Sequence, residues 1–263
     1  MVCPKKTTYG GKIIKINGWG RVMISIIGIG PGEKAQITPL AIEALKNSEV
    51  VAGYTLYIDI IKDLIEGKEI IATPMMQEVE RCRMAALAAK GNKNVAMVSS
   101  GDAGIYGMAA LMIEICEELG IREEIRVIAG ITAASSAAAV LGAPLTHDFA
   151  VISLSNLLTK WEDIEKRLDL ASQAGFVIVI YNPSSKKRAD FLKKACEIVM
   201  RNISGDTMCG YVRNIGREGQ THKILPLKEL KDEVVDMFTT VIIGNSTTRV
   251  INGKLVTPRG YRI

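Results

Sequence analysis

From Met23 onward, short apolar runs alternate with longer stretches whose apolar residues recur at helical spacing. Residues 23–27, 50–52, 69–72, 94–98 and 124–128 read as strands. The stretches 39–46, 57–65, 77–89, 106–119 and 133–141 read as helices. Strands that are apolar on both faces, each followed by a helix, predict βαβ units around a buried parallel sheet. A second series places strands at 150–154, 176–181, 208–212, 221–225 and 239–243. Its helices fall at 158–171 and 186–201, with a short one at 227–232. Helices are fewer there, and Asn252-Gly253 between two β-like runs is a two-residue hairpin signal, so the second sheet should be mixed. The pattern breaks at Gly142-Ala143-Pro144. The expected class is α/β with two lobes, 23–143 and 144–263, and an active-site cleft between them. Residues 1–22 lack this periodicity and carry Tyr9-Gly10-Gly11 and Gly18-Trp19-Gly20. They are expected to be a loose extension or upstream sequence, with Met23 as the natural start.

Composition narrows the function. Of the 263 residues, 48% are hydrophobic and 23% charged, enough to build a packed core. The net charge of +5 suits an anionic ligand, and its scatter along the chain argues against nucleic acid. Aromatics at 5% also weigh against a base-stacking platform. No apolar run approaches the ~20 residues of a membrane span and no leader pattern opens the chain, so no membrane partner is expected. Cys3, Cys82, Cys116, Cys196 and Cys209 form no C-x-x-C pair, which fits a reducing, cytoplasmic setting and no metal site.

Candidate chemistry gathers in loops after strands, where open α/β sheets bind ligands. Gly28-Ile29-Gly30-Pro31-Gly32 follows the first strand. Glu33 stands where a dinucleotide fingerprint needs its third glycine, and Pro31 lacks an N–H for a phosphate cradle. Ser99-Ser100-Gly101-Asp102-Ala103-Gly104-Ile105-Tyr106-Gly107 follows the fourth strand. There Asp102 either meets a ligand or caps the next helix. Gly130-Ile131-Thr132-Ala133-Ala134 follows the fifth; its small residues signal close packing or close ligand approach. In the second half, Tyr181-Asn182-Pro183-Ser184-Ser185 leads into Lys186, Lys187 and Arg188. Cations in a first helical turn oppose the helix dipole, so their presence points to an anionic ligand. Arg213-Asn214-Ile215-Gly216-Arg217 adds a second polar loop. No P-loop and no G-x-S-x-G elbow occur.

These loops, in this order, resemble the tetrapyrrole (corrin/porphyrin) methylase family, over about residues 23–250. Ala143-Pro144-Leu145-Thr146-His147-Asp148-Phe149, Ile152-Ser153-Leu154-Ser155-Asn156-Leu157-Leu158-Thr159-Lys160-Trp161, Tyr181-Asn182-Pro183-Ser184 and Val212-Arg213-Asn214-Ile215-Gly216-Arg217 are similar to one branch. That branch methylates C17 of precorrin-3B, or of cobalt-factor III or cobalt-precorrin-3, with ring contraction, in cobalamin biosynthesis. The chain departs from the wider family at Ala103, where many relatives have proline. Tyr54 replaces an aspartate, and Asn182 a methionine, of the uroporphyrinogen-specific members.

The resemblance implies two α/β domains, a homodimer and S-adenosylmethionine as methyl donor. It carries donor contacts over to Pro31, Ser100, Gly101, Asp102, Ile105, Thr132 and Ala133, and to Asn182, Asn214 and Ile215. The corrinoid, with its many carboxylate arms, is expected at Tyr54, Lys186, Lys187, Arg188, Arg213 and Arg217. His147 and Asp148 are the acid–base candidates for ring contraction. Other methylations in the family (C11, C20 or uroporphyrinogen III), RNA or diphthine methylation by the same fold, and a non-catalytic binding module remain the competing readings.

Overall fold

The computed structural model describes residues 8–9, 12–13, 23–185 and 187–262. The expectation of a loose extension falls almost wholly outside them, as does Lys186. Of residues 1–22 only a two-residue ladder is described, β1 (Thr8–Tyr9) with β2 (Lys12–Ile13). Among the described residues no helix is long and apolar enough to cross a membrane.

The chain divides into two compact units. The first takes in Pro39–Ser99, Met108–Ile128 and the chain up to Ile27; the second is Gly28–Thr38, Ser100–Gly107 and Ala129–Ile263. The sequence break at 143/144 therefore lies inside the second unit, which also claims the loops after the first and fourth strands of the Met23 series.

The first unit is built on β3 (Met23–Gly28), β4 (Val50–Tyr54), β5 (Glu69–Thr73), β6 (Val95–Ser99) and β7 (Glu124–Ile128), in the order β5-β4-β6-β3-β7. The pairs β3/β7, β4/β5 and β4/β6 are parallel, as expected. Strands β3 and β6 are buried throughout, while edge strand β5 alternates. This is the signature of a sheet covered on both faces. Helices α1 (Pro39–Asn47), α3 (Glu78–Lys90) and α4 (Ala109–Glu118) follow the expected stretches. The stretch expected as one helix over 57–65 is two pieces, α2 (Thr55–Ile60) and a 3-10 turn at Lys62–Leu64. The chain leaves helical geometry at Ile61, which is fully buried.

In the second unit, β9 (Phe149–Ser153), β10 (Val177–Tyr181), β11 (Met208–Arg213), β12 (Thr221–Pro226) and β13 (Thr239–Ile243) form a sheet in the order β12-β11-β13-β10-β9. It is mixed, as expected: β9/β10 are parallel, whereas β13 runs against both β10 and β11. Strands β9, β10 and β11 consequently point the same way, and their carboxyl ends share one edge with the start of β13. Alternation along β10 assigns the two faces. Val177 and Val179 pack against α5 (Ala133–Leu141), with its small Ala134, Ala137 and Ala138. Ile178 and Ile180 pack against α6 (Trp161–Gln173) and α7 (Phe191–Val199). Helix α8 (Leu227–Leu230) buries both its leucines in the latter cluster. A small sheet joins β8 (Gly142–Ala143) to β15 (Lys254–Val256) and β14 (Arg249–Ile251). Its turn residues Asn252 and Gly253 have φ of 48° and 72°, the left-handed pair that a tight hairpin requires.

Three helices start several residues later than expected, α4 at Ala109 among them. Helix α6 begins at Trp161, leaving 154–160 as a loop. Helix α7 begins at Phe191, preceded by Asp190, so Lys187 and Arg188 lie in a turn outside it. The dipole argument for an anion at those residues therefore fails. The Arg188 N–H bonds to the Ser185 carbonyl, and that turn delays the helix.

Candidate active site

Three glycine loops of the second unit cross with backbone against backbone. Gly30 and Gly101 exchange both N–H···O bonds, at 3.0 and 2.7 Å. A Cβ on Gly28 would lie 2.6 Å from the Gly101 carbonyl oxygen and 2.7 Å from the Gly130 nitrogen. A Cβ on Gly130 would overlap the Gly101 carbonyl oxygen and sit 2.6 Å from that of Gly28. Glycine is demanded at 28 and 130 by this close approach.

Asp102 fastens the crossing. Its Oδ1 accepts the Gly104 and Ile105 N–H groups at 2.8 and 3.1 Å, and its Oδ2 accepts the Gly130 N–H at 2.9 Å. Helix α4 starts only at Ala109, beyond its reach, and the Met108 N–H goes to Ser99 Oγ. Both carboxylate oxygens are thus committed to loop architecture; neither of the two sequence readings, ligand contact or helix cap, describes that role. Thr132 precedes α5, and its hydroxyl lies 2.5 Å from the Tyr181 hydroxyl instead of capping the helix. The Ala134 N–H donates to the same Tyr181 oxygen at 2.8 Å. Burial raises the Tyr181 pKa, and these two bonds oppose the rise.

Tyr106, Tyr181 and Arg217 join the loops to the strand-end edge. Tyr106 has φ 53°, an uncommon conformation for a bulky residue. Its hydroxyl donates to the Val151 carbonyl and accepts the Ser153 N–H, at 3.1 and 3.3 Å. Since β9 is the edge strand, this phenol satisfies groups that another strand would otherwise pair. The Tyr106 and Tyr181 ring centroids are 5.8 Å apart. Arg217 donates from Nε to the Pro31 carbonyl and from Nη2 to Ser100 Oγ, and its guanidinium lies over the Phe238 ring. These contacts tie the loop after β11 to the loops after β3 and β6. Tyr106 and Tyr181 escaped the sequence reading because each closes an ordinary-looking loop or strand; only a tyrosine at the carboxyl end of a strand or beside loop glycines hinted at them.

The structure brings Pro31, Ser100, Gly101, Asp102, Ile105, Thr132 and Ala133 together on these crossing loops. Asn182 and Asn214 sit at the ends of β10 and β11, both in the left-handed conformation that asparagine tolerates, with φ of 52° each. Asn182 Nδ2 donates to Ser153 Oγ, the Asn214 N–H donates to the Phe238 carbonyl, and Ile215 is buried. The basic residues divide. Arg217 serves the loops, and Arg213 is paired with Asp236 at 2.5 Å. Arg188 is half-buried, donating to Ser155 Oγ and Ser185 Oγ at 2.8 and 3.0 Å. Among the described residues no carboxylate lies within ion-pair distance of Arg188. Lys187 is exposed. Tyr54 belongs to the first unit, where it precedes α2 and stacks edge-on against Tyr57.

His147 and Asp148 are not brought to these loops. They precede β9, whereas Ser153 and the Tyr106 contact lie at its far end, about 15 Å along the strand. The Asp148 N–H lies 2.9 Å from His147 Nδ1, and the Asp148 carboxylate lies 3.4 Å from the same nitrogen.

Comparison with known proteins bears on the family. The family model for Tetrapyrrole (Corrin/Porphyrin) Methylases matches residues 23–231. The chain is 46% identical over 241 residues to a "Probable cobalt-factor III C(17)-methyltransferase" of Salmonella typhimurium, covering 92% of this chain and 100% of that protein. It is 37% identical over 245 residues to the "Precorrin-3B C(17)-methyltransferase" of a Sinorhizobium species, covering 90% and 96%. The crystal structure of the methyltransferase CobJ matches with a TM-score of 0.86 and 33% identity, over 90% of this chain and 100% of that one. With the family model matching residues 23–231 and close relatives aligned over most of its length, this chain belongs to the tetrapyrrole (corrin/porphyrin) methylases.

Proposed function

We propose that this protein is an S-adenosylmethionine-dependent methyltransferase acting on C17 of cobalt-factor III, a step of cobalamin biosynthesis. The observation that carries the reading is the 46% identity to the "Probable cobalt-factor III C(17)-methyltransferase" along that protein's whole length, against 37% for the "Precorrin-3B C(17)-methyltransferase".

The loops fit an adenosyl sulfonium donor. Ile105 and Ile131 are exposed at the loop turns, while the polar side chains beside them, Asp102 and Thr132, are already hydrogen-bonded. What remains is apolar side chain together with backbone N–H and C=O groups, which can take the ring and polar edge of a nucleoside. S-adenosylmethionine supplies an electrophilic methyl group, and carbon attack on it needs alignment more than covalent help. Such positioning supplies up to ~7–11 kcal/mol in favourable systems. Asp102, Arg217 and Tyr106 hold the loops rigid for that purpose. Arg188, held by two serines and without an ion-pair partner among the described residues, is a cation suited to take a substrate carboxylate, where a fork of N–H donors fixes orientation.

Incubation with methyl-labelled donor tests the assignment. Label should enter cobalt-factor III; label entering only precorrin-3B would move the assignment to the metal-free substrate, and label entering neither would overturn it. Arg188→Ala should weaken corrinoid binding about tenfold, equivalent to about 1.4 kcal/mol, while Arg213→Ala should leave it nearly unchanged.

A further inference from the structure

The loop between β9 and α6 carries two leucines that bury little or nothing. Leu157 is 61% exposed and Leu158 fully exposed. The loop is nonetheless anchored at both ends. Leu154 is buried and its N–H donates to the Tyr181 carbonyl at 2.9 Å, and the Ser155 N–H donates to Ser153 Oγ at 3.2 Å. At the other end the Lys160 carbonyl accepts the Asp163 and Ile164 N–H groups in the first turn of α6. An apolar pair is therefore presented to solvent by a segment whose feet are fixed.

What lies beside the pair indicates what would cover it. Ser155 holds the Arg188 guanidinium, which has no carboxylate partner among the described residues. Three residues of chain keep Leu158 within about 11 Å of Ser155. Ser153, two residues before, receives the Tyr106 contact that ties in the Asp102 loop. Apolar side chains, an uncompensated cation and the candidate donor loop thus share one strand-end edge. A small soluble anion would leave the leucines wet, and a neutral apolar ligand would leave Arg188 unpaired. The chemistry that satisfies both is a flat apolar ring system with peripheral carboxylates.

We infer that Leu157 and Leu158 form an apolar pad for the face of the tetrapyrrole substrate, with Arg188 taking one of its carboxylates. The inference rests on the proposed function and names residues that determine substrate affinity within it. The Leu157→Ser/Leu158→Ser double variant, titrated with cobalt-factor III by absorbance, tests it. The dissociation constant for the pigment should rise tenfold or more, with donor affinity unchanged and the thermal midpoint nearly so, because both leucines are mostly exposed. Unchanged pigment affinity in the variant, with binding by the wild type, overturns the pad and leaves the function standing. If the variant instead loses self-association while pigment affinity stays the same, the leucines serve a second copy of the chain, and the inference is again overturned. Wild-type protein that binds no pigment overturns the functional reading and this inference together.

Discussion

The Asp102 carboxylate accepts the Gly130 N–H at 2.9 Å, joining two loops 28 residues apart in sequence while its other oxygen closes the Gly104–Ile105 turn. The aspartate of the Ser-Gly-Asp loop is therefore an internal strut. Replacing it with alanine leaves three backbone donors to find water or stay unpaired. Asp102→Ala should lower unfolding free energy by about 1–3 kcal/mol, the range for losing hydrogen bonds to a charged group, and weaken donor binding as a consequence. Asp102→Asn keeps one acceptor oxygen and should lie in between. Urea denaturation checks the order, and a fully stable alanine variant with impaired donor binding would return Asp102 to the role of a direct contact.

Gly130 offers a sharper test of the crossing. Its added Cβ would meet two carbonyl oxygens, those of Gly101 and Gly28, and backbone cannot move aside as a flexible side chain can. Gly130→Ala should cost more than about 3 kcal/mol, or fail to fold, consistent with overpacking at a rigid site. Gly120→Ala provides the control, because a Cβ there meets nothing, although its φ of 65° still carries a modest backbone penalty. Thermal midpoints of the two variants side by side decide the matter.

Alkaline pH should destabilise the protein through its buried thiols. Burial pushes the Cys82 and Cys209 pKa values up to about 12 from 9.0, and raises that of Cys196 as well. The folded state therefore keeps these protons where the unfolded state has lost them. For a raised pKa this stabilisation is fully present below pH 9 and is lost as pH rises toward about 12. Tyr211, pushed up to about 12 by burial and then by its hydrogen bond to Glu233, adds to the same arm above pH 10. Unfolding free energy measured from pH 8 to 11 under reducing conditions should fall, and Cys209→Ala should flatten the slope. A slope unaffected by that substitution would remove the thiol from the explanation.

Much of the architecture was legible from local pattern. The apolar runs that became β3, β4 and β6 are buried on both faces, so every residue carried the signal, and Asn252-Gly253 named its own turn. The loops bearing Pro31, Ser100–Gly107 and Thr132 were found because glycines clustered at strand ends have few other uses. Helix starts at Phe191 and Trp161 were misread, since a turn held by Ser185 and a loop held by Ser153 leave no periodicity to detect.

What the sequence determined by itself is the α/β class, the strand-end position of the loops and the family, all written in local order along the chain. Only the tertiary structure decided what each polar side chain does. Arg188, Arg213 and Arg217 look alike in sequence, yet one is held by serines, one is paired to Asp236 and one binds Pro31 and Ser100. The partners of Arg217 lie 186 and 117 residues away. A side chain's charge is fixed by its chemistry, but whether that charge is free for a ligand depends on neighbours that only folding brings within hydrogen-bond distance.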